Sequence, residues 1–336
     1  MAFRAPSRVE GAIVRALLAL PNRVQRRLGG APIERDGQRL ASDVQLLVRL
    51  RELSPREPYE ALPVTEAREA VERDAAGVRG ALVRVAEVRA LEAAGLPARL
   101  YVPELERGGL LVYFHGGGWV LGSLQSHEQP CRFLARAAGV RVLSVDYRLA
   151  PEAKFPAAVD DALAAFAWAR EHAAELGADP ARIAVGGDSA GGNLSAVVAQ
   201  LTQPRPALAI LIYPVCDLST KHRSYELFGE GFYLTERTMD WYRANYLPDD
   251  EAALDPRASP LLAGDVSGMP PTHIAIAGFD PLRDEALEYG RKLAEAGVHV
   301  DIVLHAGAIH GFANAVGVGR TSAAAKGRAA EMLKTL

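Results

Sequence analysis

The spacing of apolar residues changes near residue 80, and this change divides the chain into two predicted parts. Residues 1 to about 75 carry apolar residues at helical spacing, as in LASDVQLLVRLREL, and a proline-containing link follows. From Gly80 onwards, GALVRVAEVRAL and PARLYVP alternate apolar and polar positions, which predicts two antiparallel strands. We therefore expect residues 1–75 to form a helical segment outside a main domain that covers residues 76–336.

Beyond the two alternating stretches, short apolar runs are separated by segments with helical spacing. The runs lie at 110–114, 140–147, 182–187, 207–215, 272–280 and 300–305. Continuous Val, Ile and Leu in such strands, with helices between them, indicate an α/β fold whose mostly parallel sheet is covered by helices on both faces. The aromatic, irregular interval 217–270 interrupts this alternation. We expect its first part, 217–250, to leave the sheet and to form a helical cap with the N-terminal helices.

Composition narrows the kinds of partner that the chain is expected to have. The 336 residues are 49% hydrophobic and 24% charged, which is typical of a soluble globular protein. A net charge of −3 gives no reason to expect nucleic-acid binding. Arg15 interrupts the apolar stretch near the start, and no apolar run is long enough to span a bilayer. We expect a cytoplasmic protein without stable membrane insertion.

The segment GGDSAGG, residues 186–192, places a serine between a predicted strand and a predicted helix. Residues 187–191 match G-x-S-x-G, in which a sharp turn holds the serine in a strained conformation with its hydroxyl exposed above the sheet. The alternative is a glycine-rich turn without chemistry. The position after a strand and before a helix favours Ser189 as a nucleophile.

A second glycine cluster, in FHGGGWVLG, follows the predicted strand at 110–114. Backbone N–H groups in such a loop can bind the oxyanion of a tetrahedral intermediate, together with an N–H of the residue after the serine. A phosphate-binding loop is the rival interpretation, but no G-K-[ST] follows. We interpret His115 as structural, orienting the loop. The predicted oxyanion hole consists of Gly116, Gly117, Gly118 and Ala190.

A nucleophilic serine needs a general base and a carboxylate that orients the base. In hydrolases of this topology the chain order is serine, acid, histidine. His310 lies in a glycine-containing loop beyond the last strand and is preferred over His305, which ends the predicted strand. Asp280 follows a strand directly, whereas Asp284 lies one helical turn later and could be only a helix-N-terminal charge. The preferred set is therefore Ser189, Asp280 and His310.

Five motifs together resemble the hormone-sensitive-lipase-like family of esterases in the α/β-hydrolase fold. They are HGGGW, DYRLAPE, GGDSAGGN, DPLRDE and HGF, and the resemblance covers roughly residues 75–336. It implies hydrolysis of carboxylic esters, with Ser189 as nucleophile, His310 as general base and Asp280 orienting the histidine. It also implies a helical cap and no metal or organic cofactor.

These observations predict a serine carboxylesterase that acts on small-molecule esters of short to medium acyl chain through an acyl-enzyme. The alternatives are an amidase or deacetylase with the same triad, and a non-catalytic small-molecule receptor on the same fold. Such a receptor should lack the histidine or the acid, and both are present. The side chains predicted to line the substrate pocket are aromatic: Trp119, Phe232, Tyr233 and Phe312.

Overall fold

The computed structural model describes residues 8–54, 56–316 and 319–336. In chain order, its strands are β1 (Glu34–Arg35), β2 (Gln38–Arg39), β3 (Glu87–Ala93), β4 (Leu96–Val102), β5 (Leu110–Phe114), β6 (Arg141–Val145), β7 (Ile183–Asp188), β8 (Ala209–Ile212), β9 (Thr272–Phe279) and β10 (Val300–Ile309). Its α-helices are α1 (Arg8–Ala19), α2 (Asn22–Gly29), α3 (Ser42–Leu53), α4 (Val64–Val78), α5 (Glu128–Ala138), α6 (Ala157–Glu171), α7 (Ala190–Leu201), α8 (Arg223–Phe228), α9 (Glu236–Tyr246), α10 (Arg283–Glu295) and α11 (Arg320–Leu333).

Eight of the described strands form one sheet in the order β10-β9-β8-β7-β5-β6-β4-β3. The six strands from β10 to β6 run parallel to their neighbours, whereas β4 pairs antiparallel with both β6 and β3. The predicted mostly parallel α/β sheet is thereby confirmed. The carboxyl ends of its parallel strands meet at one edge, where open α/β sheets usually carry their sites.

The sheet separates two apolar cores. Along β5, Leu110 and Val112 point into one core and Leu111 and Tyr113 into the other, because successive side chains of a strand face opposite sides. Helices α6, α7 and α10 contribute to the first core, and α5 and α11 to the second. Because helices pack on both faces of the sheet, every residue of β5 is buried, and its sequence, LLVYF, is a continuous apolar run.

Two local features differ from the prediction. The N-terminal helices are interrupted by the β1–β2 hairpin, whose turn is Asp36-Gly37 with φ of 52° and 73°. An Asp-Gly pair with both φ positive is favoured in tight hairpin turns, so this signal was present in the sequence. Strand β10 continues to Ile309 rather than ending at His305, because Ile309 still pairs with Phe279 after a register shift.

Helix α3 and the segment around α8 pack on the ends of β9 and β10. An apolar cluster joins α3, the segment around α8 and the two strand ends; its buried members are Leu40, Val44, Val48, Phe228, Phe232, Phe279 and Ile309. The backbone N–H of Ala41 also donates to the carbonyl of Gly307, at 3.0 Å. These contacts place α3 and α8 at the carboxyl edge of the sheet. Among the described helices, none is both long enough and apolar enough to cross a membrane.

Candidate active site

Ser189 occupies the turn between β7 and α7, with φ of 56° and ψ of −118°. This conformation is strained for a residue with a side chain, and such strain concentrates at functional sites. The turn requires glycine at two neighbouring positions. A Cβ on Gly187 would collide with the Phe114 carbonyl oxygen, and a Cβ on Gly191 would collide with the same atom. The glycines of GGDSAGG therefore allow the end of β5 to pack directly against the serine turn.

A chain of hydrogen bonds links three of the predicted residues. His310 Nε2 lies 3.0 Å from Ser189 Oγ, and His310 Nδ1 lies 2.7 Å from Asp280 Oδ2. A carboxylate at Nδ1 accepts a hydrogen bond from that nitrogen, which leaves the lone pair of Nε2 directed at the serine hydroxyl. The other carboxylate oxygen, Asp280 Oδ1, accepts from the Leu282 N–H at 2.9 Å. This arrangement can transfer the hydroxyl proton of Ser189 to the imidazole.

The rival acid and base make other contacts. The His305 ring packs edge-on against Phe312, with ring centroids 5.3 Å apart, and burial lowers the pKa of this histidine. The Asp284 carboxylate accepts from Arg283 Nε at 2.7 Å, at the start of α10. The hydrogen-bonded chain from Ser189 thus passes through His310 and Asp280 and not through these two residues.

The predicted oxyanion donors fall into two groups, according to whether the backbone N–H already has an acceptor. The Gly116 N–H donates to Asp188 Oδ1 at 3.0 Å, so this group is already occupied. Within the part of the chain that is described, the N–H groups of Gly117 and Gly118 have no acceptor. Ala190 is the first residue of α7, where the N–H has no acceptor inside the helix. Three of the four predicted donors therefore remain free to bind a ligand.

His115 is fully buried and supports the glycine loop. Its Nδ1 lies 2.9 Å from the Gly116 carbonyl oxygen, its ring stacks on Tyr147, and the Tyr147 hydroxyl donates to the His115 carbonyl at 2.8 Å. Burial lowers the pKa of His115 to about 3, so the ring is neutral at ordinary pH. A neutral ring bonded to the loop backbone agrees with the structural role expected from the sequence.

Asp188, which precedes the serine, lies at the centre of a buried polar network. Its Oδ1 accepts from the Tyr113 hydroxyl at 2.6 Å and lies 3.4 Å from His127 Nε2. Burial opposes ionisation of Asp188, but His127 and the Tyr113 hydroxyl outweigh burial and lower the pKa of this carboxyl to about 2. The sequence analysis did not identify Tyr113 and His127 as partners of Asp188. The tyrosine inside LLVYF could have indicated a buried polar contact, since a buried tyrosine hydroxyl usually has a hydrogen-bond partner.

The four aromatic residues predicted for the pocket occupy different environments. Trp119 is fully buried and stacked on Tyr246 at 4.1 Å, and Phe312 is buried edge-on against Tyr213. Phe232 lies in the cluster beside α3 and α8. Tyr233 alone of the four is exposed, at 42%, and its ring borders Gly311, the residue after His310.

The described side chains contain no group of three or more His, Cys, Asp or Glu residues that could hold a metal ion.

Comparison with known proteins places this chain in a family. Residues 111–314 match the family described as the α/β-hydrolase fold. A carboxylic ester hydrolase of Mycobacterium tuberculosis is 52% identical over 242 residues, 68% of this chain and 64% of that protein, so the chain spans just under two thirds of that relative. The ethyl acetate hydrolase of Pseudomonas putida is 40% identical over 287 residues, 81% of this chain and 90% of that protein.

Solved structures agree with this assignment. An α/β-hydrolase enzyme from the metagenome of Lake Arreo, Spain, matches with a TM-score of 0.85 and 39% identity, over 88% of this chain and 98% of that chain. An esterase of Pyrobaculum calidifontis matches with a TM-score of 0.80 and 38% identity, over 85% of this chain and 97% of that chain. Since the family match covers more than half of the sequence and the solved structures match 85–88% of the chain, the chain belongs to the α/β-hydrolase family, among the hormone-sensitive-lipase-like esterases.

Proposed function

We propose that this protein hydrolyses carboxylic esters of small molecules, with short to medium acyl chains, through an acyl-enzyme. The observation that carries the proposal is the hydrogen-bonded chain from Ser189 Oγ through His310 to Asp280, with distances of 3.0 and 2.7 Å. A serine on a strained strand-to-helix turn, a base within bonding distance and a carboxylate behind the base together form the constellation used for acyl transfer. The ester hydrolases among the relatives support the same reaction class.

In the proposed reaction, His310 Nε2 takes the hydroxyl proton as Ser189 Oγ attacks the ester carbonyl carbon. The tetrahedral oxyanion accepts hydrogen bonds from the N–H groups of Gly117, Gly118 and Ala190. Protonated His310 returns its proton to the leaving alkoxide, which departs as the alcohol and leaves an acyl-serine ester. Water then attacks this ester while His310 takes one of its protons; as the C–O bond to Ser189 breaks, His310 returns the proton to Ser189 Oγ and the acid is released. Asp280 stabilises the imidazolium in both halves.

The preference for short to medium acyl chains rests on what covers the carboxyl edge of the sheet. The α3 and α8 region packs on the ends of β9 and β10, and the Tyr233 ring lies beside the residue that follows His310. Each buried CH₂ of an acyl chain contributes about 0.8 kcal/mol, so kcat/KM rises with chain length until the chain reaches this cover. We propose that residues 1–75 and 217–250 together form the cap that sets the limit.

The test is a panel of aryl esters of increasing acyl length, hydrolysed by the wild-type protein and by Ser189→Ala. We expect an optimum at short to medium chains for the wild type. In the variant, kcat should fall on the order of 10⁶-fold, as in a measured serine-triad enzyme, because only the attacking hydroxyl is lost. Circular dichroism checks that the variant is folded. Near-normal turnover by folded Ser189→Ala would refute the mechanism, and a rate that rises steadily into long chains would refute the proposed cap.

A further inference from the structure

The charge of the chain is unevenly distributed along its length. Residues 1–30 contain six arginines and one acidic residue, Glu10, whereas the chain as a whole has a net charge of −3. The rest of the chain therefore carries all of the net negative charge, and the N-terminal helices form a basic region on an acidic protein. Such an asymmetry is typical of proteins that bind an anionic surface.

Helices α1 and α2 pack on the same neighbour, α3. On α1, Leu18 packs against Leu46 of α3. On α2, Gln25 is fully buried: its amide nitrogen donates to the Leu18 carbonyl oxygen at 2.7 Å, and its Oε1 accepts from the Ser42 hydroxyl at 3.0 Å. Because the inner sides of both helices face α3, their opposite sides both point away from it.

Aliphatic side chains occupy part of this outward side. Ile13 of α1 is 53% exposed, and Val24 and Leu28 of α2 are 40% and 49% exposed. Val24 and Leu28 are one helical turn apart, so they lie next to each other on the helix surface. Between residues 11 and 19 of α1, the exposed residues are all apolar: Ala12, Ile13, Ala16 and Ala19. An exposed apolar side that spans several residues marks an interaction surface more often than a single exposed residue does.

Arginines occupy the rest of the outward side. Arg23, Arg26 and Arg27 of α2 are exposed, and within the described part of the chain none of them forms an ion pair. Arg23 and Arg27 form a row beside the row of Val24 and Leu28. Arginines next to aliphatic side chains on one helix are typical of helices that lie on an anionic bilayer. The α1–α2 surface, as we call it, consists of Ala12, Ile13, Ala16, Ala19, Arg23, Val24, Arg26, Arg27 and Leu28.

The basic part of the α1–α2 surface continues into a cavity of about 400 Å³, whose lining includes Arg26, Arg39 and Arg320. Arg320 donates to neutral oxygen atoms at 3.0 and 2.8 Å. Among the described residues that line the cavity, Asp43 is the one carboxylate, and its oxygens already accept three hydrogen bonds from the start of α11. The lining is therefore positive overall, which favours an anionic group beside α2.

We infer that the α1–α2 surface is a docking surface for an anionic lipid bilayer, with its aliphatic side chains among the headgroups and its arginines at the lipid phosphates. Both halves of the surface then have a partner. A second copy of the chain would bring the same arginines face to face across a two-fold axis. A nucleic acid would supply phosphates but no apolar layer for Ile13, Val24 and Leu28. The bilayer is the occupant that fits both the charge and the apolar side chains.

Docking places the region around the site near the lipid. Helix α3, on which α1 and α2 pack, contributes to the apolar cluster at the ends of β9 and β10, at the edge of the sheet that carries Ser189. The inference concerns binding alone and needs no turnover, so it can be tested whether or not the proposed reaction is correct.

The first experiment is sedimentation of the wild-type protein with two kinds of vesicle. One contains phosphatidylcholine alone, and the other contains phosphatidylcholine with about one third phosphatidylglycerol. We expect the protein to sediment with the anionic vesicles and to remain largely in solution with the neutral ones. Because salt screens exposed charges, the partition coefficient should fall at least about tenfold between about 0.1 M and about 1 M salt. Absence of binding, or equal binding to both kinds of vesicle, would overturn the inference.

The second experiment removes charge from α2. In the double variant Arg23→Gln, Arg27→Gln, the partition coefficient for anionic vesicles should fall about 25-fold, because each arginine near such a surface strengthens binding about fivefold. The matched control is Arg136→Gln, Arg291→Gln, which removes two exposed arginines from α5 and α10. The control should bind like the wild type. If the two variants lose binding equally, the attraction depends on the net charge alone and the α1–α2 surface is not the docking site.

The third experiment removes the aliphatic side chains and separates the rival occupants. Val24→Ser, Leu28→Ser should lower the partition coefficient about tenfold or more, whereas Leu105→Ser, at a side chain 83% exposed between β4 and β5, should leave it unchanged. Circular dichroism checks that each variant is folded. Unchanged binding by the α2 variant would overturn the inference. A dimer of the wild type without lipid that this variant abolishes would assign the surface to a second copy instead, and tighter binding to a DNA duplex than to vesicles would assign it to nucleic acid.

Discussion

At the scale of single residues, the site is defined by which atoms already have partners. Ser189, His310 and Asp280 are bonded in one chain, whereas the N–H groups of Gly117 and Gly118 have no acceptor in the described structure. A backbone N–H without an acceptor in the protein can donate to a bound ligand. The oxyanion of a tetrahedral intermediate would supply that acceptor, so these free donors are consistent with the proposed reaction.

The two histidines near the end of β10 should respond differently to substitution. In His310→Ala the base is lost, and kcat should fall nearly as far as in Ser189→Ala, by about 10⁶-fold, because the triad acts as a unit. His305→Ala removes a ring contact with Phe312 but no member of the hydrogen-bonded chain from Ser189, so most of the activity should remain. Steady-state hydrolysis of a short aryl ester by both purified variants checks this. The reverse pattern would transfer the role of base to His305.

The oxyanion loop can be tested at Gly118, where φ is +61° and a Cβ would fall on the Tyr242 ring. In Gly118→Ala the loop must move away from Tyr242, so kcat should fall about 10²- to 10³-fold, as when an oxyanion donor is lost. Gly297→Ala is the matched control, since Gly297 has a φ of +84° but no atom within 4 Å of the added methyl group. The control should lose stability and keep its kcat. Equal activity in the two variants would contradict the proposed oxyanion loop.

At the scale of elements, the site is a product of strand ends and of the helices that pack on them. Ser189 follows β7 and Asp280 follows β9, while His310 follows β10. Because these strands are parallel, their carboxyl ends lie at one edge, and the three side chains meet there. The N-terminal segment approaches the same edge. Arg35 donates to the Leu227 carbonyl oxygen at 2.7 Å and lies over the Phe232 ring.

Deletion of residues 1–40 tests the cap as an element. It removes β1, β2 and Leu40, and therefore uncovers the apolar cluster around Phe228 and Phe279. We expect lower solubility, a lower melting temperature and an acyl-chain optimum shifted to longer esters. Arg35→Ala should shift the chain-length profile in the same direction to a smaller extent. An unchanged melting temperature and an unchanged profile after the deletion would show that these residues do not cover the site.

At the scale of the whole molecule, stability depends on charges buried far from the reaction. Lys326 of α11 is 3% exposed, and its Nζ donates to the Ala315 carbonyl oxygen at 2.9 Å. Burial lowers the pKa of Lys326 from 10.5 to about 7. Between these two values the unfolded chain binds more protons than the folded one, so stability contributed by this site rises with pH. Below about pH 7 Lys326 is charged in the folded protein, and burial of this cation lowers the free energy of unfolding to its full extent.

Lys326→Met should remove that cost. We expect its melting temperature to exceed that of the wild type by about 2–4 °C at pH 6, since each 1 kcal/mol is worth about that much in a large domain. The difference should narrow towards pH 10, where the wild-type lysine is neutral when folded and one hydrogen bond to Ala315 favours the wild type. Thermal melts at both pH values measure this difference. Lys334→Met is the control, because the Lys334 side chain is partly exposed in the wild type. A lower melting temperature at pH 6 would contradict the prediction.

The sequence by itself determined the fold class, the positions along the chain of the main-sheet strands and the candidate residues Ser189, Asp280 and His310. These conclusions depend on local signals. A continuous apolar run forms a strand buried on both faces, and glycines next to a serine allow a sharp turn. Because parallel strands bring their carboxyl ends to one edge, residues that follow different strands could be grouped without knowledge of their contacts. The catalytic roles of the three residues stay a prediction.

Only the tertiary structure decided which polar groups are already occupied. The Gly116 N–H is bonded to Asp188, 72 positions away, and this separates Gly116 from the two glycines that follow it. His127 Nε2 lies 3.2 Å from the Asn314 side chain across 187 positions, a contact that no local sequence pattern predicts. A turn is encoded by adjacent residues, but a buried polar atom is satisfied by whichever group the packed elements bring to it, and that pairing exists only after the chain has folded.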